Sequence, residues 1–326
     1  MTQTPLVPLG PFAVSRQGYG AMGLSHAYGR ADEAESFAVL DRAIEVGINF
    51  FDTADVYGQG HNETLLGRAV AGRRDRLVIA SKFGNRLDRG QGGRQVDGRP
   101  EYVRQAVEAS LKRLNIERID LYYLHRLDPQ TPVEDTVGAL AELKRQGKIG
   151  AIGLSEVDAP TLRRAHAVHP IAALQSEYSL WTREVEAEIL PTARELGIGF
   201  VAYSPLGRGF LAGAHPTEPT DRRHQHPRFQ AEAVAENSQR RAVAEAVARR
   251  LGASLAQVSL AWVLSKNVVP IPGTRHVRHL DANWAANDLT LDPATLAELE
   301  AVFAPGSTAG ARYPAGSTPV PGLAVA

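Results

Sequence analysis

The 326-residue sequence has no cysteine, which removes disulfide scaffolds, thiolate metal sites and cysteine nucleophiles from consideration. It has no uninterrupted apolar run near the ~18 residues that a membrane span needs. Residues 1–10 lack the basic stretch followed by an apolar one that marks a secretory leader, so the expectation is a soluble, cytoplasmic protein. It has no excess of either charge, with 36 acidic and 36 basic residues, so no global field draws it to nucleic acid or to an anionic membrane. Lysine is scarce: Lys82, Lys112, Lys144, Lys148 and Lys266 are all there are. A lysine at the end of a buried strand therefore stands out.

What is present is ordinary for a globular chain, 44% apolar and 22% charged. Residues 6–15 alternate weakly around Gly10-Pro11 and read as a hairpin, a cap over residues 6–16 outside the main architecture. Gly18, Gly20 and Gly23 punctuate the next strand. Asp32 is placed to cap a helix in which Phe37, Leu40 and Ile44 recur at helical spacing until Gly47. From there short apolar strands alternate with helices: strands at 49–52, 77–82, 119–125, 149–155, 173–177, 199–203 and 268–271, and helices at 62–70, 100–114, 133–146, 159–168, 185–196, 237–251, 254–266, 277–287 and 293–303. Residues 84–98 and 205–230, rich in Gly, Pro and Arg, read as loops, the first of them mobile.

Eight strands, nearly all followed by a helix and apolar on both faces, predict a parallel sheet. A closed (β/α)8 TIM barrel needs ~250 residues; the surplus is assigned to the hairpin, two extra helices and a tail, residues 304–326, over the barrel mouth. The whole chain, 1–326, reads as a single domain. A doubly wound open sheet would want a glycine fingerprint after its first strand, and Gly18, Gly20 and Gly23 do not have that spacing.

Functional groups in such a barrel gather at the C-terminal strand ends. Those ends carry Asp52 and, in the loop beyond it, Tyr57; then Lys82; then His125; then Ser155 and Glu156, Gln175 and Glu177, and Tyr203 and Ser204. A phenol is too weak an acid to give up a proton readily at neutral pH. An ammonium beside it lowers that barrier, and Lys82 could supply one if Asp52 served as its counter-ion. His125 could hydrogen-bond a carbonyl oxygen and stabilise the charge developing on it. This is a set for polarising a carbonyl and protonating an alkoxide. It holds no nucleophile–base pair for acyl transfer and no histidine pair for a metal.

In order and at these positions, Asp52, Tyr57, Lys82 and His125 resemble the catalytic tetrad of the aldo-keto reductases. Further stretches match: Asp52-Thr53-Ala54-Asp55-Val56-Tyr57-Gly58, Ile152-Gly153-Leu154-Ser155, Gln175-Ser176-Glu177-Tyr178-Ser179, the run from Ala202 to Gly209, and Pro270-Ile271-Pro272-Gly273-Thr274-Arg275. The tail Gly310-Ala311-Arg312-Tyr313-Pro314 is similar to that of a bacterial, plant and fungal branch reducing pyridoxal or aromatic and aliphatic aldehydes.

The resemblance implies reduction of aldehydes or ketones with NADPH, Tyr57 donating the proton to a small-molecule carbonyl substrate. It also implies that Ser155 and Gln175 hold the nicotinamide carboxamide, that Tyr203 stacks on the ring, and that Ser204, Leu206 and Arg208 line the pyrophosphate path. Gly273, Thr274 and Arg275 would meet the adenosine end, with His279 and Asn283 beyond them, while Gly20, Met22 and Asp52 would border the cofactor. Three departures stand out, one of them Ala282 where a Glu is common. Glu156 replaces a common Asn, and a carboxylate can accept from an amide but not donate to one. His279 replaces a common Arg, which leaves the 2′-phosphate mainly to Arg275 and narrows the preference for NADPH over NADH. The same resemblance admits a cofactor-binding regulatory or channel-associated subunit, and Lys82 by itself would admit a Schiff-base lyase. His166, His169, His215, His224 and His226 read as solvated, Arg222, Arg223 and Arg228 as a clamp or a surface loop, and Trp181 as a pocket wall or a packed cover.

Overall fold

The computed structural model describes residues 6–25, 27–29, 31–87, 94–216 and 221–314. Twelve strands occur among them: β1 (Leu6–Leu9), β2 (Phe12–Ser15), β3 (Tyr19–Gly20), β4 (Phe50–Asp52), β5 (Val78–Phe83), β6 (Asn85–Leu87), β7 (Arg94–Val96), β8 (Ile119–Leu124), β9 (Ile149–Ser155), β10 (Ala173–Glu177), β11 (Gly199–Tyr203) and β12 (Val269–Pro270). Eight of these form one parallel sheet in the order β12-β11-β10-β9-β8-β5-β4-β3. The Gly18 and Gly20 amides donate to the carbonyls of Pro270 (2.9 Å) and Pro272 (3.4 Å), which brings the first strand back to the last and closes the barrel.

The period-two geometry of strands divides the apolar residues into two sets. Phe50, Ala80, Leu121, Ala151, Ala173, Val201 and Val269 point inward and form the barrel core, together with Leu9 and Val14 from the β1–β2 hairpin. The hairpin thus closes the barrel bottom. Phe51, Ile79, Tyr122, Ile152, Leu174 and Phe200 point outward to the helices. Tyr123 fills the interior because its neighbour is Gly153, where a Cβ would lie 2.3 Å from the Tyr123 ring.

The helices are α1 (Glu33–Glu45), α2 (His61–Val70), α3 (Pro100–Leu114), α4 (Val133–Arg145), α5 (Ala159–Val168), α6 (Ile189–Glu195), α7 (Ala231–Arg250), α8 (Leu255–Leu264), α9 (Val277–Trp284) and α10 (Pro293–Val302). Their starts follow local chemistry. Asp32 caps α1 and Asp158 caps α5, Ser254 and Gln257 form a capping box on α8, and Pro100 opens α3 at a position where a missing N–H costs nothing. In α3, Val103, Ala106, Val107, Ser110 and Leu114 make the buried stripe. Truncating the fully buried Leu114 to Ala costs roughly 2–5 kcal/mol.

Three local expectations change. Residues 84–98 are not a structureless loop: β6 and β7 pair antiparallel, Asn85 opposite Val96, while residues 88–93 lie outside the described set. The ribbon is too short and too rich in Gly and Arg to show an alternation in sequence. The helix expected at 185–196 is a 3-10 turn (Glu184–Glu186) followed by the shorter α6, and the helix expected at 237–251 starts earlier, at Ala231.

Candidate active site

Strand alternation carries the site. On β4, Phe50 faces inward, so Asp52 does too; on β5, Ala80 and Lys82 share that face; past β8, His125 follows Leu121 and Tyr123. Lys82 is 0% exposed and Asp52 2% exposed, a depth at which an unpaired charge is prohibitive. They are paired: the Lys82 ammonium donates to Asp52 Oδ1 and to the Thr53 carbonyl at 2.8 Å. The Gln175 amide donates to the other Asp52 oxygen at 2.7 Å. Burial is the largest single effect and works against the Lys82 ammonium, but Asp52 and Tyr57 together outweigh it and hold the amine above its ordinary range.

Tyr57 enters from the turn after β4, where Gly58 (φ 58°) and Gln59 (φ 55°) reverse the chain in left-handed conformations. Its hydroxyl lies 3.5 Å from Lys82 Nζ, and its ring meets the His125 ring edge-on, centroids 5.9 Å apart. These four side chains from three successive strands therefore meet at one point. One expectation is modified. Lys82 does favour the Tyr57 phenolate, but burial is the larger effect, and the phenol sits above rather than below its ordinary range.

Beyond the tetrad the mouth is ringed by the other predicted residues. Ser155 and Gln175 are buried at the ends of β9 and β10, and Tyr203, Ser204, Leu206 and Arg208 are half-buried at and after β11. Gly273, Thr274 and Arg275 follow β12, the neighbour of β11, and Gly20 and Met22 follow β3 on its other side. The Tyr19 hydroxyl donates to the Thr274 carbonyl at 2.5 Å. His279 is exposed and packs edge-on to His276 at 5.4 Å; partial desolvation, with Arg278 and His276 nearby, lowers its pKa. Asn283 is buried, its carbonyl accepting from Gln17 at 2.9 Å.

Several residues acquire roles that spacing did not reveal. Glu156 adopts φ 54°, as do Ser204 (49°) and Arg208 (56°) nearby, all in the left-handed region that disfavours such side chains. Its Oε1 accepts from the Glu177 amide at 2.8 Å and its Oε2 from Arg312 at 2.5 Å. Glu177 in turn accepts from Arg208 at 2.8 Å, with Arg312 Nε 3.6 Å away. Burial opposes ionisation of Glu177, yet Arg208, Arg312 and Arg228 bring its carboxyl down to about 2. Arg126 donates to the His125 carbonyl (2.6 Å) and to Ser155 Oγ (3.2 Å), joining two strand ends.

The surface readings are partly corrected. His226 is not solvated; it lies between Arg208 and the tail, its Nδ1 3.0 Å from the Arg312 carbonyl. Arg223 and Arg228 are buried, Arg228 donating to the Trp181 carbonyl (3.0 Å) and Thr182 Oγ1 (2.6 Å). Trp181 is a packed cover, stacked on Phe210 with centroids 4.1 Å apart. Among the described residues no cluster of three or more His, Asp or Glu could hold a metal ion, and no helix is long and apolar enough to cross a membrane.

The chain matches the model of the Aldo/keto reductase family over residues 17–304. It is 48% identical over 324 residues to a probable aldo-keto reductase 1 from Glycine max, covering 96% of this chain and 93% of that protein. Among solved structures it is similar to a glycerol dehydrogenase from Gluconobacter oxydans (28% identity, TM-score 0.82, 93% of this chain and 96% of that one). It is also similar to an aldo/keto reductase from Klebsiella pneumoniae in complex with NADP and acetate (27% identity, TM-score 0.73, 92% and 95%). The eight-stranded parallel barrel, the groups at its mouth and these likenesses lead to one conclusion: the chain belongs to the aldo/keto reductase family, oxidoreductases that act on carbonyl groups with NAD(P)H.

Proposed function

We propose that the protein reduces aldehydes and ketones to alcohols with NADPH, and that Tyr57 is the proton donor. The observation that carries this reading is the buried chain Asp52–Lys82–Tyr57, in which an ammonium held charged by a carboxylate lies 3.5 Å from a phenol at the mouth. Before substrate arrives, burial keeps the Tyr57 hydroxyl protonated, so the donor is loaded. As negative charge develops on the carbonyl oxygen, Tyr57 passes its proton there, and Lys82 stabilises the phenolate left behind. Asp52 holds Lys82 charged and in place, and the Gln175 amide fixes Asp52. His125, its ring against Tyr57, orients the carbonyl oxygen.

Several features fit a nicotinamide dinucleotide. Tyr203 offers a half-buried ring at a strand end, and the turn at 204–208 and the segment at 273–275 emerge from adjacent strands. When bound, the cofactor supplies the hydride. Ser155 and the Gln175 oxygen would hold its carboxamide, Tyr203 its ring face, Ser204, Leu206 and Arg208 its pyrophosphate, with Gly20, Met22 and Asp52 along its inner border. Gly273, Thr274 and Arg275 would meet the adenosine end, beside His279 and Asn283. Because His279 is exposed with a lowered pKa, recognition of a 2′-phosphate falls to Arg275, which has the geometry and permanent charge for it. Lys82, held protonated, is a poor Schiff-base nucleophile.

The test follows nicotinamide absorbance with a panel of small aldehydes, including pyridoxal and nitrobenzaldehydes, with NADPH and NADH in parallel. Turnover with NADPH is the expected result. No turnover with any carbonyl despite tight cofactor binding would instead indicate a regulatory subunit, and a borohydride-trapped adduct on Lys82 would indicate a lyase.

A further inference from the structure

The tail does more than end the chain. After α10 its described part, residues 304–314, runs back over the barrel mouth along a set of paired polar contacts, while residues 315–326 lie outside the described set. Thr308 Oγ1 donates to the Trp181 carbonyl at 3.1 Å. Asn237, fully buried on α7, exchanges two 2.9 Å hydrogen bonds with the backbone of Ala309. Arg228 Nε donates to the Gly310 carbonyl at 3.1 Å. Gly310 has φ 84°, and a Cβ there would lie 3.0 Å from the Arg228 backbone, so the strap approaches as closely as it does only because the residue is glycine.

This anchored segment delivers Arg312 and Tyr313 into the site. Arg312 is half-buried, its side chain 9% exposed, with the guanidinium on Glu156 (2.5 Å) and near Glu177 (3.6 Å). The Tyr313 ring lies between two cations, Arg208 at 5.0 Å and Arg312 at 5.3 Å from its centroid. Its hydroxyl is 2.7 Å from the Tyr203 hydroxyl. His226, its pKa lowered by burial and by Arg208, has both ring nitrogens beside Arg208 Nη1 (2.6 and 2.8 Å) and its Nδ1 3.0 Å from the Arg312 carbonyl. Glu156 keeps a left-handed backbone that Asn or Gly would adopt more easily, and both its oxygens are committed to Glu177 and Arg312.

We propose that Arg312 and Tyr313 are positioning residues for the reduction. Glu156 and Glu177 clamp Arg312, Arg312 and Arg208 hold Tyr313, and Tyr313 fixes Tyr203 so that its ring stays set for the nicotinamide end of the cofactor. Glu156 accordingly serves the tail. This rests on the reading of Tyr203 as the cofactor's stacking partner.

The test compares the full-length wild type with Arg312→Ala, Arg312→Lys and Tyr313→Phe, measuring NADPH dissociation rate by stopped-flow fluorescence and, separately, kcat and KM. Wild-type binding of NADPH comes first: its absence would sink the function proposed above and leave nothing for the tail to position. Given that binding, Arg312→Ala is expected to release NADPH about tenfold faster, a loss of ~1.4 kcal/mol, and to lower kcat for every aldehyde in the panel. Arg312→Lys should restore part of the loss, and Tyr313→Phe, which keeps the ring but removes the hydroxyl that meets Tyr203, should show about a threefold effect. Unchanged NADPH release in both Arg312→Ala and Tyr313→Phe overturns the proposal. Tighter binding in Arg312→Ala also overturns it, by showing that the tail competes with the cofactor. Circular dichroism of each variant separates these outcomes from misfolding, and Tyr313→Phe, which removes one oxygen, carries the test if Arg312→Ala does not fold.

Discussion

The two sides of the barrel mouth solve the same problem, a buried charge, in different ways. On the side of β4, β5 and β8 there is one pair, Lys82 with Asp52, supported by Thr53 and Gln175. Both partners sit on strands, whose backbone leaves them almost no freedom. On the side of β9, β10 and β11 there are two carboxylates and a ring of arginines, Glu156 and Glu177 against Arg208 and Arg312, drawn from a strand end, two left-handed turns and the tail. A charge that must hold one geometry through a proton transfer is better placed on rigid strands. Groups that must let a large ligand enter and leave are better placed on segments that can separate.

The largest effect should come from the rigid side. Tyr57→Phe is expected to lower kcat by about 10²–10⁴-fold, the usual worth of a positioned acid, with NADPH affinity retained. Unchanged turnover would show that the proton comes from elsewhere. On the adaptable side, Glu177→Gln leaves Arg208 and Arg312 without their shared counter-charge. The expected cost is about 3 kcal/mol of stability, read as a lowered midpoint in urea, and a drop no larger than that of an exposed pair would mean the network relaxes freely. The sign of its acid limb also follows. The carboxyl is held at about 2, below its unfolded value, so its stabilisation is present above pH ~4.5 and is lost as pH falls toward 2.

A smaller effect tests the boundary of the rigid side. Asp55, three residues past Asp52, has its carboxyl pushed up to about 7 by burial, with Glu63 adding to the effect. Its folded pKa is raised, so the folded state binds the proton more tightly, and stability falls as pH rises from about 4 through 7. Asp55→Asn should remove this slope and be more stable than wild type at pH ~8, by on the order of 2 kcal/mol, as thermal melts at two pH values would reveal. Parallel slopes in the two proteins would place the proton elsewhere. Least affected should be Arg163→Ala, which breaks a fully exposed pair with Glu195; no measurable change in melting temperature is expected, and a clear loss would mean that exposed pairs contribute more here than solvent screening allows.

The sequence by itself determined the barrel and the tetrad, because both follow from short-range periodicity. Alternation at i and i+2 puts Asp52 on the face of Phe50 and Lys82 on the face of Ala80, and the parallel fold then aims all strand ends the same way. The cap at Asp32 was legible for the same local reason. For the other half of the mouth the strand ends were legible too, but tertiary structure alone decided which groups pair there. Glu156 and Arg312 are 156 positions apart, and Tyr203 and Tyr313 are 110 apart, and no periodicity links residues on a turn to residues on a tail. Glu156, a charged side chain where an Asn is common, and the Gly310–Pro314 stretch of a tail expected over the mouth were both legible, but not that Arg312 is the partner of Glu156. Tertiary structure also reversed the direction expected for Tyr57, since the ammonium beside it could be inferred from sequence but the depth of its burial could not.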